Sequence, residues 1–345
     1  MHYTTLGNTG LLVSRVCFGA MTFSDGTNFW KRVGTVDQAG ADKMIRTSME
    51  AGVNFIDTAD VYAFGQSETM IGQSLRNLSI PRKDFVIATK FSARVGSGRN
   101  DVGASRGHIM DAVEASLRRL QTDYVDLYQL HSTDLVTPIE ETLRALDTLV
   151  NQGKIRYIGV CNFHAWRLMQ ARAVSELRNL VKIETLQAYY SIVSRELERE
   201  IVPMLENQKM GLLVFSPLAG GLLSGKFTRE NQKPEDSRRS LSDFPIVDKE
   251  RTWRVLDVVR PIAKSRGVSA AQICLAWLLS KPIVTSVIIG AKRMDQLRDN
   301  LAAAELELTA DEIQQLDEIS RIPVEYPDWA VTFGHRTRLE DVPLA

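Results

Sequence analysis

The chain has 345 residues, of which 44% are hydrophobic and 24% charged, as is typical of a soluble globular protein. Its 42 Lys and Arg residues balance 42 Asp and Glu residues, which argues against nucleic acid or a membrane surface as the main partner. Three scattered cysteines, without metal-ligand spacing, indicate a reducing compartment: Cys17, Cys161 and Cys274. With no secretory signal pattern at the N-terminus, we expect a cytoplasmic protein without a metal site.

Short apolar runs alternate with helical patterns along the chain. After a polar, hairpin-like start around residues 7–10, eight runs are typical of buried parallel strands. They span residues 16–20, 53–56, 85–89, 125–130, 155–160, 185–188, 212–215 and 286–289. Helix signals lie between them, including a stop at Gly52 and a cap at Ser105. The pattern predicts an α/β fold, with one (β/α)8 barrel domain over residues 1–345 and an N-terminal β-hairpin.

Three stretches interrupt this alternation: residues 91–107, 226–249 and 322–345. The first two follow strand ends, so we expect long loops at the C-terminal face of the barrel, acting as lids or binding loops. The third carries Tyr326, Trp329 and Phe333, and a disordered tail seldom has so many aromatic residues. We therefore expect the tail to pack over a pocket. Trp30 and Phe23, after the first strand, are expected either to line that pocket or to pack in the core.

Four polar residues stand at or just after the ends of consecutive strands: Asp57, Tyr62, Lys90 and His131. In a parallel α/β barrel these ends meet at one face, where the chemistry takes place. A carboxylate, a phenol, an amine and an imidazole would then share a pocket suited to proton transfer. Taken singly, each residue has a more ordinary interpretation, such as a helix cap for the aspartate or rim packing for the tyrosine.

Several motifs occur in order along the chain: Phe55–Tyr62 (FIDTADVY), Gly65–Glu68, Leu127–His131, Ile158–Phe163, Phe215–Leu222 and Ile289–Lys292 with Gln296 and Asn300. They resemble those of the aldo-keto reductases, and the inserts at residues 100–106 and 326–329 resemble bacterial members more closely than the mammalian aldose-reductase branch. The resemblance implies a (β/α)8 barrel that binds a nicotinamide dinucleotide, usually NADPH, without a Rossmann domain. The sequence agrees on the last point, since no G-x-G-x-x-G follows a strand.

The resemblance gives the four polar residues roles that physical chemistry supports. Hydride addition to a carbonyl leaves an alkoxide, which Tyr62 can protonate as general acid. The ammonium of Lys90 is expected to lower the phenol's pKa from its free value of about 10, and Asp57 to hold Lys90 by an ion pair. His131 is expected to hydrogen-bond the carbonyl oxygen and polarise it.

The resemblance also implies cofactor contacts. Asn162 and Gln187 match the positions that hold the nicotinamide carboxamide, which needs both donors and acceptors. Cys161 replaces a more usual Ser, and Phe215 stands where many relatives have Tyr or Trp under the nicotinamide ring. The other implied contacts lie at the first strand, the pyrophosphate-side loop and the eighth strand: Gly19, Ala20, Met21, Asp57, Ser216, Pro217, Leu218, Gly220, Ile289, Gly290, Gln296 and Asn300.

Four basic residues favour NADPH over NADH, because a 2′-phosphate requires Lys or Arg near the adenosine ribose: Lys226, Arg238, Lys292 and Arg293. Any one of them could equally be a solvated surface charge. We therefore predict NADPH-dependent, reversible reduction of small aldehydes or ketones, with no prediction of oligomeric state. The alternative is a nicotinamide-binding regulatory module like the potassium-channel β subunits. A barrel hydrolase or lyase is disfavoured, because the sequence has no serine elbow or clear metal cluster.

Overall fold

The computed structural model describes residues 1–26, 30–232, 234, 239 and 243–338 of the chain. Its strands are β1 (Tyr3–Thr5), β2 (Leu12–Ser14), β3 (Val16–Gly19), β4 (Phe55–Asp57), β5 (Val86–Phe91), β6 (Val125–Leu130), β7 (Ile155–Cys161), β8 (Ile183–Tyr189), β9 (Gly211–Phe215) and β10 (Val284–Ile289). Its α-helices are α1 (Trp30–Val33), α2 (Gln38–Glu50), α3 (Gln66–Asn77), α4 (Arg106–Leu120), α5 (Ile139–Asn151), α6 (Ala165–Arg178), α7 (Ile201–Gln208), α8 (Lys249–Arg266), α9 (Ala270–Leu279), α10 (Met294–Ala302), α11 (Ala310–Ser320) and α12 (Asp328–Arg338).

Eight of these strands form a closed parallel barrel in the order β10-β3-β4-β5-β6-β7-β8-β9, surrounded by helices. The remaining two, β1 and β2, pair antiparallel as a hairpin. The predicted (β/α)8 barrel with an N-terminal hairpin is therefore confirmed. Leu6 and Val13 of the hairpin region pack against the barrel residues Cys17, Phe55 and Leu213, so an apolar layer fills this part of the barrel.

Strand periodicity places a polar layer directly above that apolar layer. In β5, Val86 and Ala88 belong to the interior cluster, whereas Ile87 and Phe91 pack in the outer cluster with the helices. Because side chains alternate along a strand, Lys90 continues the interior row. Phe55 and Asp57 of β4, and Leu127 and Gln129 of β6, follow the same spacing of two residues. The interior of the barrel therefore changes from apolar to polar toward the strands' carboxyl ends.

The predicted helix signals form local caps. The hydroxyl of Ser105 accepts a hydrogen bond from the His108 amide at the start of α4. Gly52 follows α2 with a φ of 86° and donates its amide to the Met49 carbonyl, 2.7 Å away. These positions end or begin helices because a side-chain acceptor or a left-handed glycine satisfies backbone groups that the helix leaves open.

The tail contradicts the sequence-based expectation. Tyr326, Trp329 and Phe333 are 76%, 58% and 69% exposed, so the prediction that this segment packs over a pocket is wrong for the residues described up to 338. The Trp329 and Phe333 rings on α12 and the Tyr326 ring just before it face solvent. An ion pair from Glu325 to Arg199 (2.8 Å) connects the start of the tail to the barrel domain. Within the described ranges, no helix is both long and apolar enough to cross a lipid bilayer.

Candidate active site

The carboxyl ends of the barrel strands bring the four predicted polar residues to one face. Asp57 is the last residue of β4, Lys90 is the next-to-last residue of β5, and His131 directly follows β6. Tyr62 begins the short 3-10 helix Tyr62–Gly65, which connects β4 to α3. Because the barrel strands are parallel, these ends open at the same face of the molecule.

Lys90 is the centre of the cluster. Its side chain is fully buried, and its Nζ donates to Asp57 Oδ2 (2.6 Å), to the Thr58 carbonyl (2.7 Å) and to the Tyr62 hydroxyl (3.3 Å). Burial disfavours the charged amine, but the adjacent Asp57 carboxylate raises the pKa of Lys90 above its ordinary value. The ammonium therefore stays charged, and each of its three protons has an acceptor.

The Tyr62 phenol lies close to the positive charge of Lys90. Besides the hydrogen bond, Lys90 Nζ lies 4.9 Å from the centroid of the Tyr62 ring. Burial nevertheless raises the pKa of Tyr62 above its ordinary value of 10.0, while Lys90 acts in the opposite direction. The prediction of a lowered pKa is therefore wrong in net direction, because desolvation outweighs the ammonium. The phenol is protonated at neutral pH and is able to donate.

His131 lies beside the phenol as a neutral imidazole. Its ring meets the Tyr62 ring edge-on, with centroids 5.9 Å apart, and its amide donates to the Phe91 carbonyl at 2.9 Å. Burial and the charge of Lys90 lower the pKa of His131 to about 3. Its Nδ1 is buried, with no hydrogen-bond partner among the residues described. A neutral imidazole still donates one hydrogen bond, which is sufficient to polarise a carbonyl.

The predicted Gln187 completes the polar layer together with Gln129 and Thr58, which were not singled out from the sequence. Gln129 Nε2 donates to Asp57 Oδ1 (3.2 Å), and Gln187 Nε2 donates to the same oxygen at 2.8 Å. Thr58 contributes a backbone carbonyl to Lys90, which residue type cannot reveal. Gln129 did carry a signal, because it is a polar residue two positions after Leu127, on the interior row of the strand.

The predicted nicotinamide contacts lie at the ends of the next three strands. Cys161 ends β7 and is buried, which raises the pKa of its thiol. Asn162 follows it with a φ of 57° and donates its Nδ2 to the His131 carbonyl at 3.2 Å. Gln187 lies in β8, and Phe215 ends β9 with its ring partly exposed. The Asn162 amide and the Phe215 ring therefore lie at the same face as the Lys90 cluster, whereas the Gln187 amide is buried against Asp57.

The loop after β9 has a backbone that approaches other segments closely. Ser216 and Gly220 both have positive φ values, 49° and 67°. A Cβ on Gly220 would lie 2.6 Å from the Phe244 carbonyl oxygen, so only glycine fits this approach. The remaining predicted contacts lie at the ends of β3, β9 and β10: Gly19, Ala20, Met21, Pro217, Leu218, Ile289 and Gly290.

The predicted 2′-phosphate residues lie beyond the ends of β9 and β10. Lys226 is exposed after β9, and Lys292 and Arg293 are exposed after β10. Arg293 forms a two-pronged ion pair with Asp295, with both N–O distances at 3.0 Å. Arg238, the fourth predicted residue, lies outside the described residues.

Helix α10 carries the last two predicted cofactor residues. Gln296 Oε1 accepts from the Lys292 amide at 3.0 Å, and Asn300 is buried one turn further along. The strand ends thus offer amides near Lys90, and basic side chains beyond β9 and β10. This donor set fits a nicotinamide dinucleotide, which has a carboxamide at one end and phosphates further along.

Comparison with known proteins shows which family the chain belongs to. Residues 15–321 match the model described as the Aldo/keto reductase family. The chain belongs to that family. This confirms the resemblance drawn from the motifs, and it assigns the barrel to a family of oxidoreductases.

Similar curated proteins differ in what their names say they do. The chain is 36% identical to an uncharacterized oxidoreductase of Bacillus subtilis, an alignment covering 92% of this chain and 96% of that one. It is 33% identical to the versiconal hemiacetal acetate reductase of Aspergillus parasiticus, over 92% and 96% of the two chains. It is 37% identical to a probable voltage-gated potassium channel subunit beta of Oryza sativa subsp. japonica, over 89% and 92%.

Beside its polar cluster, this aldo/keto reductase has an aromatic rim. The Trp30 ring meets the rings of Tyr62 and Phe64 edge-on, at 6.0 and 6.5 Å. Phe64, which the sequence did not single out, is 68% exposed on a turn where it and Ala63 both have positive φ values. Phe23 is fully buried against Phe18, so of its two predicted roles the structure assigns core packing.

Proposed function

We propose that this aldo/keto reductase catalyses the NADPH-dependent, reversible reduction of small aldehydes or ketones to alcohols. The observation that carries the proposal is the position of Lys90 Nζ, which lies 3.3 Å from the Tyr62 hydroxyl and 2.6 Å from Asp57 Oδ2. Such a phenol, held by a charged amine that is itself held by a carboxylate, is a positioned proton donor.

Each residue of the cluster has a separate task in this mechanism. The hydride comes from the reduced nicotinamide when it is bound. Tyr62 donates its hydroxyl proton to the oxygen of the carbonyl as negative charge develops there, and Lys90 stabilises the phenolate that remains. Asp57 keeps Lys90 charged and in place, and neutral His131 donates a hydrogen bond to the same oxygen. Tyr62, whose pKa burial raises above its ordinary value, is protonated at neutral pH, which is the form that donates a proton in the reduction.

The proposed cofactor site extends across the strand ends. Asn162 and Gln187 would hold the carboxamide, and Phe215 would pack against the nicotinamide ring. The turn after β9, in which Ser216 and Gly220 have positive φ values, would bind the pyrophosphate through backbone groups. The remaining proposed contacts are Gly19, Ala20, Met21, Asp57, Cys161, Pro217, Leu218, Ile289, Gly290, Gln296 and Asn300.

Preference for NADPH over NADH belongs to the same proposal. The exposed Lys292 and Arg293 after β10, with Lys226 and Arg238 in the loop after β9, provide positive charge for a 2′-phosphate. We further propose that the whole chain acts as one domain in the cytoplasm, with a small carbonyl compound as its partner. Support for the compartment comes from Cys17, Cys161 and Cys274, which are buried free thiols.

A regulatory module is the second candidate function. It is favoured by the relatives from Oryza sativa subsp. japonica and Arabidopsis thaliana that are named probable voltage-gated potassium channel subunits beta. Such a module would bind a nicotinamide dinucleotide with little turnover. The cluster around Lys90 favours the reductase, because a binding module has no need of a positioned proton donor.

The experiment that separates these functions is an assay of nicotinamide oxidation. Purified protein is given NADPH or NADH with a panel of aromatic and aliphatic aldehydes and ketones, and the alcohol products are identified. We expect turnover with at least one aldehyde and a preference for NADPH. Tight NADPH binding without turnover on any compound would support the regulatory module, and no binding of either nicotinamide would contradict both functions.

A further inference from the structure

A second buried cluster, behind the catalytic one, surrounds Asp60. Asp60 lies on the segment between Asp57 and Tyr62 and is 3% exposed, yet neither of its carboxyl oxygens has a hydrogen-bond partner in the described part of the chain. The hydroxyl of Tyr128 on β6, fully buried, is also without one there. Buried polar groups are rarely left in this way, so two in one place require an explanation.

Charged groups on α3, α4 and β5 lie near Asp60. Glu68 on α3 is fully buried, where it accepts from Thr89 Oγ1 and from Arg119 Nε of α4, both at 2.6 Å. Lys90 of β5 is the other cation near the Asp60 carboxyl group. The two cations already have close partners, since Arg119 is bound to Glu68 and Lys90 to Asp57. Asp60 therefore shares a buried space with a second carboxylate and has no ion-pair partner of its own in the described structure.

These surroundings favour the neutral acid. Burial and the negative charge of Glu68 raise the pKa of Asp60 to about 8, although Arg119, the nearby Val61 amide and Lys90 act in the opposite direction. The protonated acid has a hydroxyl to donate. Burial and, after it, the nearby Asp60 and Glu68 charges raise the pKa of the Tyr128 phenol, so this group is protonated as well. If Asp60 were ionised, its negative charge would be buried without a hydrogen-bond or ion-pair partner, which is costly in a low-dielectric interior.

The backbone of Asp60 connects this cluster to the catalytic one. The Asp60 amide donates to the Lys90 carbonyl at 3.1 Å, and the neighbouring Thr58 amide donates to the Ala88 carbonyl at 2.9 Å. Next along the chain, the Tyr62 amide donates to the Ala59 carbonyl at 3.1 Å. The segment that carries Tyr62 is therefore fastened to β5 at Asp60. Movement of the Asp60 side chain toward water would pull on this connection.

We propose that Asp60 is a positioning residue, whose neutral carboxyl group keeps the segment Asp57–Tyr62 fastened to β5 and thereby holds Tyr62 against Lys90. Ionisation of Asp60 drives its side chain toward water, breaks the bond to the Lys90 carbonyl and moves the phenol out of place. The consequence for catalysis rests on the proposed reductase function, whereas the fastening of the segment does not depend on it.

The first test compares wild type with Asp60→Asn, which keeps a neutral group of the same shape. In wild type, kcat for reduction should fall about tenfold for each pH unit above about pH 8, because the active, protonated fraction falls by that factor. In Asp60→Asn this fall should be absent until Tyr62 itself ionises, and kcat at about pH 6.5 should stay within about threefold of wild type. The same substitution at the exposed Asp123 is the control and should leave the wild-type profile unchanged.

Two further measurements test the role of Asp60 without depending on catalytic turnover. Amide hydrogen exchange in the peptide 57–66, corrected for its intrinsic pH dependence, should accelerate above about pH 8 in wild type but not in Asp60→Asn. As the pH rises from about 5 to about 8, the melting temperature of wild type should fall relative to that of Asp60→Asn. The sign follows because the raised pKa of Asp60 makes the folded state bind a proton that the unfolded state releases.

Each outcome decides the proposal. An alkaline fall of kcat shared by wild type and Asp60→Asn, or exchange that is equal in both at every pH, would overturn it. If no carbonyl compound is reduced at any pH, the proposed function fails, while the exchange and melting data still test Asp60. Should Asp60→Asn not fold, Glu68→Gln replaces it. Without the negative charge of Glu68, the pKa of Asp60 should fall. The alkaline fall of kcat and the accelerated exchange of peptide 57–66 should then begin at a lower pH in Glu68→Gln than in wild type. An unchanged pH for both would contradict the proposal.

Discussion

The two sides of the barrel mouth differ in how firmly contacts within the protein hold their functional side chains in place. On the β4–β6 side, Asp57, Lys90 and Tyr62 are joined by contacts of 2.6 to 3.3 Å and are buried or partly buried. On the β9–β10 side, the basic residues Lys226 and Lys292 are exposed. The proton-transfer side is thus preorganised by its own hydrogen bonds, whereas the predicted phosphate side presents exposed charge.

This difference determines how each side should respond to substitution. Residues that share one buried network act as a unit, so single changes should be large and strongly non-additive. Exposed charges are screened by water, so their removal should have smaller effects than changes in the buried network, and chiefly on cofactor affinity. The following predictions are ordered by the size of the expected effect.

Removal of the Lys90 amine should produce the largest combined loss of activity and stability. Lys90→Met should lower kcat/KM by at least about 10³-fold, because the Tyr62 hydroxyl oxygen loses the ammonium that donates to it and that stabilises the phenolate left after proton donation. It should also lower the free energy of unfolding by about 3–5 kcal/mol, because Asp57 is left as a buried, unpaired charge. Urea denaturation and steady-state kinetics measure the two effects.

The matched control for Lys90 is the double variant Asp57→Asn with Lys90→Met. With no buried charge left to compensate, it should recover most of the lost stability but none of the activity. A double variant as unstable as Lys90→Met would show that the ion pair does not dominate this side of the barrel.

The next effect concerns His131. His131→Gln should lower kcat by about 10²-fold, since one donor to the developing oxyanion is lost. Because the pKa of His131 is lowered to about 3, the imidazole is neutral throughout the range from about pH 5 to about pH 7, and kcat should be flat there. A fall of kcat below about pH 6.5 in wild type that His131→Gln abolishes would contradict the neutral imidazole.

On the exposed side, loss of basic residues should affect NADPH selectively. Lys292→Ala combined with Arg293→Ala should weaken NADPH binding by about 10–100-fold, the value of one or two charge-assisted hydrogen bonds, and NADH binding by less than about threefold. Fluorescence titration with both nicotinamides measures this, with Lys226→Ala as a separate variant. Equal weakening for NADPH and NADH would refute the 2′-phosphate role.

The smallest effect is expected in the tail. Phe333→Ala should change the free energy of unfolding by less than about 0.5 kcal/mol and leave KM unaltered, because the ring is exposed. The control is Phe85→Ala, at a buried ring, which should cost about 3–5 kcal/mol. A destabilisation in Phe333→Ala close to that of Phe85→Ala would mean that the tail does pack against the barrel.

The sequence predicted the features that depend on local order along the chain better than those that depend on packing between distant segments. Strand periodicity and the motif around Asp57 and Tyr62 predicted the barrel and the residues at its mouth, because both depend on local order along the chain. The direction of the Tyr62 pKa was wrong, since the extent of burial depends on all the packed elements together. The cluster of Asp60 with Glu68 and Tyr128 was not predicted at all, because it forms between α3 and β6, segments far apart in sequence.

The most direct test of the central claim is single-turnover hydride transfer in Tyr62→Phe. If Tyr62 is the proton donor that Lys90 holds in place, the rate of NADPH oxidation in the first turnover should fall by about 10³–10⁴-fold, with NADPH affinity within about twofold of wild type. A first-turnover rate close to that of wild type would contradict the account.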